Sequence, residues 1–302
     1  MARMPAAEVD VDLPLVHRLL TDQHPDLADL PMEVVANGWD NVMLRLGEEL
    51  VARLPRRQAA AALVEHEQLV LPRLADRLPV AVPEPVRVGR ATDYYPWSWT
   101  VARWLPGAPA AAQLPSERDQ WAGELAEFLV ALHTPAEADA PANPVRGVPL
   151  ADRAEAIRAR FDAGTFAGAR ELRELFEESA SAPVHSGPPL WLHGDLHPLN
   201  LLAAGDRLTA VIDFGDTTSG DPATDLGTAW LTFTAAGRSV FVDRYTAGTG
   251  ADAATWSRAR AWGASFAGVL LASSDDHPEL AAIGRHARAE LLTEGEAPPS
   301  GP

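Results

Sequence analysis

The chain has 302 residues, 47% of them hydrophobic, enough to bury a full core and to form two lobes or domains around a cleft. Its formal charge of -17 argues against nucleic-acid or anionic-membrane binding, since both need a basic surface, and favours a cationic small molecule as partner. There is no cysteine, so disulfides, thiolate nucleophiles and thiolate zinc sites are excluded, and all 25 Lys+Arg residues are arginine, which excludes a Walker A loop, a Schiff-base enzyme and a Ser-x-x-Lys acylating enzyme.

The first ten residues lack an apolar core of the kind a secretion signal carries, and no run approaches the roughly 20 apolar residues of a membrane span, so a cytoplasmic protein is expected. Residues 1–35 read as a helical lead-in, with Leu15, Leu19, Leu20 and Leu27 loosely at helical spacing. Residues 37–41, Asn-Gly-Trp-Asp-Asn, form a turn-rich loop, after which Val42, Leu44 and Leu46 alternate in strand fashion with Met43 and Arg45. Gly47-Glu-Glu turns the chain into Leu50–Leu54, predicting a β-hairpin. From Ala59 to Ala75, Leu63, Glu67, Val70, Leu71 and Leu74 share one helical stripe, so Glu67 points inward while Glu65 points elsewhere.

Val80–Val88 and Trp97–Leu105 are expected as strands, the second stopped by Pro106-Gly107. Ser116 with Asp119 resembles a capping box, followed by a core stripe of Trp121, Leu125, Phe128, Leu129 and Leu132. Residues 134–148, rich in Pro and Ala, read as a loop. Helices near 151–162 and 167–180 precede strands at 190–192, 200–203 and 208–212, the last two joined across Gly205-Asp206. Asp221-Pro222 suits the start of a helix to about Ala236, more helix fills roughly 252–292, and residues 294–302 are expected to be a disordered tail.

The chemistry concentrates in residues 191–200, Trp-Leu-His-Gly-Asp-Leu-His-Pro-Leu-Asn, and 211–215, Val-Ile-Asp-Phe-Gly. Two carboxylates, Asp195 and Asp213, and the Asn200 amide, each beside a β-type apolar run, are the parts needed to hold a magnesium nucleotide and to accept a proton from an attacking hydroxyl. Each alone fits a structural role as well: a turn cap, a turn amide and a hairpin closure. A rival reading is a metal-dependent hydrolase, because His193, Asp195 and His197 alternate on one strand face, although no other histidine cluster completes a zinc site. A catalytically silent binding protein is a third.

These two motifs resemble the signature of the aminoglycoside phosphotransferase family, a branch of the protein-kinase-like fold: His-Gly-Asp-x-x-x-x-Asn at residues 193–200, then an Asp-Phe-Gly strand end at 213–215. The resemblance runs from about Asn37 to Asp221. It implies an α+β, two-lobed fold with a smaller antiparallel-sheet N-lobe (1–105) that binds nucleotide and a larger, mainly helical C-lobe (106–302). It further implies ATP or GTP as phosphate donor, Asp195 as the base, and Asn200 and Asp213 as ligands of Mg²⁺. His193 is implied to buttress the loop. Trp97–Leu105 resembles the interlobe hinge, which implies adenine contacts to the carbonyl of Arg103 and the N–H of Leu105.

The sequence departs from the kinase-like pattern on the third strand, where Arg53 stands in place of the usual lysine. Val51 and Arg53 share a face by the period of two, as one residue against the adenine and one against the phosphates require. Arginine can fork to phosphate oxygens and pair with a carboxylate, and the inward Glu67 is the matching partner, since a buried carboxylate alone is costly. The acceptor implied is a small-molecule hydroxyl, in first place on a cationic, amine-bearing antibiotic, with choline, homoserine or sugar-amine type metabolites as the alternative. Asp216, Asp275, Asp276 and Glu279 are the acidic candidates for recognising an ammonium group.

Overall fold

The computed structural model of the chain describes residues 6–38, 40–274 and 277–293. Trp39 of the expected turn-rich loop, Asp275, Asp276 and the expected tail lie outside the described residues.

The N-terminal lobe is a five-stranded antiparallel sheet of β1 (Met32–Asn37), β2 (Asn41–Leu46), β3 (Leu50–Pro55), β4 (Pro85–Gly89) and β5 (Trp99–Arg103) in the order β1-β2-β3-β5-β4. The alternation of β2 sets its faces: Val42, Leu44 and Leu46 are buried, while Asn41, Met43 and Arg45 are half-buried. Beneath lies α1 (Leu13–Gln23), capped by Asp12 accepting from the Leu15 N–H, with Val16, Leu19 and Leu20 fully buried against the sheet core of Leu44, Ala52, Leu54, Trp99 and Val101.

Two expectations are corrected here. The expected helical lead-in ends early, because residues 32–37 form the edge strand β1; its Val34 and Val35 are 44% and 40% exposed, and an edge with both faces wet shows no alternation to read. The strand expected at 80–88 shrinks to Pro85–Gly89, with Ala81 making only an isolated bridge to Ala210, since Pro83 and Pro85 lack the N–H that a ladder needs.

Helix α2 (Gln58–Leu74) crosses the sheet and buries Val64, Glu67, Val70, Leu71 and Leu74. Leu63, expected on that stripe, is half-buried at its edge, where its Cβ packs on Gly215. After β5, the short strand β6 (Ala108–Pro109) leads into α3 (Pro115–Arg118) and α4 (Ala122–Leu132). The capping box expected at Ser116 and Asp119 is displaced by two residues: Pro115 takes the first helical position, so Glu117 reaches back to the Leu114 N–H (2.7 Å). Asp119 instead accepts from the N–H and hydroxyl of Thr234.

In the C-terminal lobe, α5 (Leu150–Asp162) and α6 (Ala169–Ala180) stand where expected. Strand β7 (Leu190–Leu192) and the hairpin of β8 (Leu201–Ala204) and β9 (Arg207–Val211) follow, then β10 (Thr218–Gly220), which pairs with β7. The single helix expected from Asp221 to Ala236 is three pieces, α7 (Ala223–Leu226), α8 (Thr228–Thr232) and α9 (Ala235–Thr249). Phe233 turns extended, and the Asp119 carboxylate draws out Thr234, which becomes the cap of α9. Helix α10 (Ala253–Ser273) runs through the centre and α11 (Pro278–Thr293) packs on it. Trp121, Phe128, Trp230 and Phe233 belong to this core. Among the described residues, no helix is long and apolar enough to cross a membrane.

Candidate active site

On the nucleotide side, the β2–β3 hairpin delivers Arg53 to the interlobe cleft, where its guanidinium joins two lobes. Nη1 donates to Glu67 Oε1 of α2 at 2.6 Å and Nη2 to Asp213 Oδ1 at 2.8 Å. The Asn41 amide, with its oxygen turned toward the arginine, accepts from Nη2 and Nε at 3.0 and 3.1 Å. Burial alone would lower the affinity of Arg53 for its proton, but the charges of Glu67 and Asp213 outweigh it and fix the cation. Burial pushes the Glu67 carboxyl above its ordinary value, and Arg53 pulls it partly back. Val51 is buried one register step away, opposite Ala102. Arg103 ends β5, and the following Trp104 N–H is taken by the Glu49 carbonyl (2.7 Å), which places Leu105 at the start of the connection to the second lobe.

Asp213 is the sole non-glycine with positive φ among the described residues (64°), a strained conformation that leaves its side chain 50% exposed at the cleft. Phe214 beside it is fully buried, its ring 4.6 Å from that of His193.

The loop of residues 193–200 rests on Asp225 of α7. This carboxylate accepts from the N–H groups of His193 (2.7 Å) and Gly194 (2.8 Å) and from His133 Nε2 (3.2 Å), whose other ring nitrogen meets the Tyr245 hydroxyl. Burial would raise the Asp225 carboxyl, but His133, His193 and the Gly194 N–H hold it below the ordinary range. Gly194, at φ 88°, admits no side chain: a Cβ would lie 2.4 Å from the Asp216 carbonyl oxygen. His193 is fully buried and spends both ring nitrogens on the loop, donating from Nε2 to the Ile212 carbonyl (2.9 Å) and accepting at Nδ1 from the Asp195 N–H (3.2 Å). The buttress is therefore physical. The rival hydrolase reading loses its ligand with it, and no group of three potential metal-binding side chains of His, Asp or Glu exists among the described residues.

Asn200 donates from Nδ2 to the Asp195 carbonyl oxygen at 2.8 Å, which leaves the lone pairs of its Oδ1 for a metal ion. Asp195 Oδ1 receives Arg146 Nη2 at 2.9 Å, and Oδ2 lies 3.5 Å from His197 Nε2. Burial would raise this carboxyl; the hydrogen bond and charge of His197, then Arg146 and His193, reverse that and hold it well below the usual carboxylate range. Arg146 comes from the 134–148 loop. Asn143 shapes it by accepting from the Val145 and Arg146 N–H groups and donating to Asp216 Oδ1 (2.8 Å), while the Arg146 guanidinium lies 4.8 Å over the Phe266 ring of α10. Asp216 feels the charges of both Asp195 and Asp213, so the three carboxylates share one cleft.

The sequence matches the phosphotransferase enzyme family (APH) over residues 31–262, more than three quarters of the chain. The chain belongs to this family. Solved structures of similar fold include the GDP complex of aminoglycoside 2'-phosphotransferase-IIIa (20% identity, TM-score 0.70, 95% of this chain and 100% of that one). The GDP and kanamycin complex of an APH(2") enzyme is 22% identical with TM-score 0.69, over 94% of this chain and all of the other. Macrolide 2'-phosphotransferase MphH from Brachybacterium faecium is 24% identical with TM-score 0.62, over 95% and 100%. At these identities the likeness establishes the two-lobed, kinase-like α+β fold. No curated protein sequence gave a match. With the family comes the reaction class: the protein is a small-molecule O-phosphotransferase.

Of the residues expected in the phosphotransferase site, Arg53, Glu67 and Asp213 form one cluster, and Asp195 and Asn200 share one loop. Glu279, exposed at the start of α11, makes no contact with this cleft in any described hydrogen bond or ion pair. Sequence reasoning missed Arg146, Asn143 and Asp225. Asp225 left a faint signal, an acidic residue between Ala223 and Leu226 just ahead of the apolar run Ala229-Trp230-Leu231; Arg146, in a Pro- and Ala-rich loop, left none.

Proposed function

We propose that this phosphotransferase moves the γ-phosphate of Mg-ATP or Mg-GTP to the hydroxyl of a small molecule, as antibiotic-modifying relatives do. The observation that carries the reading is the Arg53 bridge: a cation suited to phosphate oxygens stands between Glu67 of one lobe and the candidate metal ligand Asp213 of the other. Asn200 Oδ1 and the half-exposed Asp213 carboxylate are hard oxygen donors of the kind Mg²⁺ takes, and they would hold it; bound there, it would neutralise phosphate charge. Val51 and the backbone of Arg103 and Leu105 would receive the base. The acceptor hydroxyl gives its proton to the Asp195 carboxylate as its oxygen attacks the γ-phosphorus, and the bridging oxygen leaves on the nucleoside diphosphate.

The neighbours include complexes with kanamycin, gentamicin and streptomycin, which supports an antibiotic acceptor, while the net charge supports a cationic one only at long range. Asp216, the nearest acidic candidate for an ammonium, is already engaged by Asn143. Nucleotide consumption without any acceptor, measured with Mg²⁺ and with Zn²⁺, tests the reading. Hydrolysis of ATP or GTP with Mg²⁺ alone is expected; metal-dependent hydrolysis of other esters with Zn²⁺ and none of nucleotide would overturn it.

A further inference from the structure

Arg53 stands where a lysine is usual, and the exchange carries a geometric demand. An ammonium gathers three donors on one atom and needs no particular plane, whereas a guanidinium directs five N–H groups along a flat fork, so its roll decides what they meet. Two carboxylates hold the fork by one nitrogen each, Glu67 at Nη1 and Asp213 at Nη2. They are not equivalent. The Glu67 side chain is 4% exposed and belongs to the same lobe as Arg53. That of Asp213 is 50% exposed, belongs to the other lobe and is the candidate metal ligand, so its contact is the one that nucleotide binding has to loosen. A single bond to Glu67 would then leave the guanidinium free to swing about Nη1.

Asn41 meets that demand. It opens β2 opposite Pro55, and since alternate residues of a strand share a face, Arg53 is its diagonal neighbour on β3, within reach of a long side chain. Its amide oxygen accepts from Nη2 and Nε together, at 3.0 and 3.1 Å, along one edge of the fork; the reversed amide would set donor against donor. One acceptor shared by two nitrogens of a planar group fixes the plane, and a neutral amide does so without adding a third negative charge where phosphates are to come. Holding the turn itself falls to other pairs: Asn37 accepts from Arg56 (2.7 Å), Asp40 accepts from Arg57, and the Arg56 N–H donates to the Asp40 carbonyl (2.9 Å).

We infer that Asn41 is a positioning residue for the phosphate donor: it fixes the plane of the Arg53 guanidinium so that the Nη2 donor released by Asp213 is presented to a phosphate oxygen. This rests on the phosphotransferase reading above and deepens it on the donor side.

A double-mutant cycle tests it, with Kd for Mg-ATP and Mg-GTP read by titration calorimetry and the Tm of each nucleotide-free variant measured alongside. Asn41→Ala should weaken nucleotide binding about tenfold in the unaltered background, the loss of about one charge-assisted hydrogen bond. In the Arg53→Lys background it should do so by no more than about twofold, because the ammonium has no plane to fix. Asn41→Val, suited to a strand, repeats the comparison should the alanine variant fold poorly. Asp40→Ala, which releases the same turn from Arg57, should change affinity by the same factor in both backgrounds. Equal factors for Asn41→Ala in the two backgrounds, affinity unchanged by it whether or not Tm falls, or a coupling of Asp40 to position 53 as large as that of Asn41 would overturn the inference. Binding of neither nucleotide by the unaltered protein with Mg²⁺ removes the phosphotransferase reading itself, and the inference with it.

Discussion

The two sides of the cleft are built by different means. On the nucleotide side, Arg53, Glu67 and Asn41 sit on a strand, a helix and a second strand, so regular structure fixes these three, and only Asp213 comes from a motif loop. On the acceptor side, Arg146 reaches Asp195 from an irregular loop held by Asn143 and by Gly147, whose φ is 68°. A group positioned by periodicity can be read from sequence and replaced only at a cost in folding. A group positioned by a loop can change with little cost to the fold, which is how one scaffold comes to serve different acceptors.

Asp195→Ala is the largest expected effect, because the proposed reaction sends the acceptor's proton to this carboxylate. It should lower kcat by about 10²–10⁴ while leaving Mg-nucleotide affinity nearly unchanged, since the carboxylate serves the acceptor. Single-turnover kinetics beside nucleotide titration checks both halves; a variant with full kcat removes Asp195 from the mechanism. Next comes the nucleotide side alone. Arg53→Ala should raise the nucleotide KM about ten- to a hundredfold, the equivalent of losing about 1.5–3 kcal/mol of charge-assisted hydrogen bonding, and Arg53→Lys should recover much of it. Glu67→Ala should have a similar kinetic effect and also lower Tm, because a buried cation loses one of its two carboxylates. If Arg53→Ala leaves nucleotide kinetics as they were, the regular side is merely structural.

The difference in construction also explains what was legible. Glu67 was readable because a carboxylate on a leucine stripe has to find a cation, and Arg53 was the one on the facing strand. Asp195, Asn200 and Asp213 were readable as motifs with fixed spacing. Arg146 was not: nothing in residues 134–148 is periodic, and its place follows from long-range contacts to Phe266 and Asp216 through Asn143. The same holds for elements. The hairpin of β2 and β3 and the buried stripe of α2 followed from alternation and periodicity, whereas β1 escaped because both of its faces are wet, and the break at Phe233 escaped because its cause, Asp119, lies 115 residues away from Thr234.

Asp225 sharpens the comparison from below, as it carries the loop on which both sides depend. Asp225→Ala leaves the N–H groups of His193 and Gly194 buried without an acceptor, at about 1–3 kcal/mol each, so Tm should fall clearly and kcat with it. The smallest effect is in the acid range and concerns the same carboxylate. Its folded pKa is depressed, so the native state binds this proton less readily than the unfolded chain does. The stabilisation is fully present above the unfolded value of about 3.9 and is lost as pH falls from there through the lower folded value. Between pH 5 and 8 this group should therefore contribute no slope to stability, and below about pH 4 it should contribute a falling one. Asp225→Asn, which does not titrate, should show a lower denaturation midpoint at pH 7 and a shallower decline in acid than the unaltered protein. Chemical denaturation at a series of pH values measures both. Parallel acid limbs in the two proteins would mean that the Asp225 contacts exist without contributing to linkage, and that the floor of the loop is held by packing of His193 and Phe214 instead.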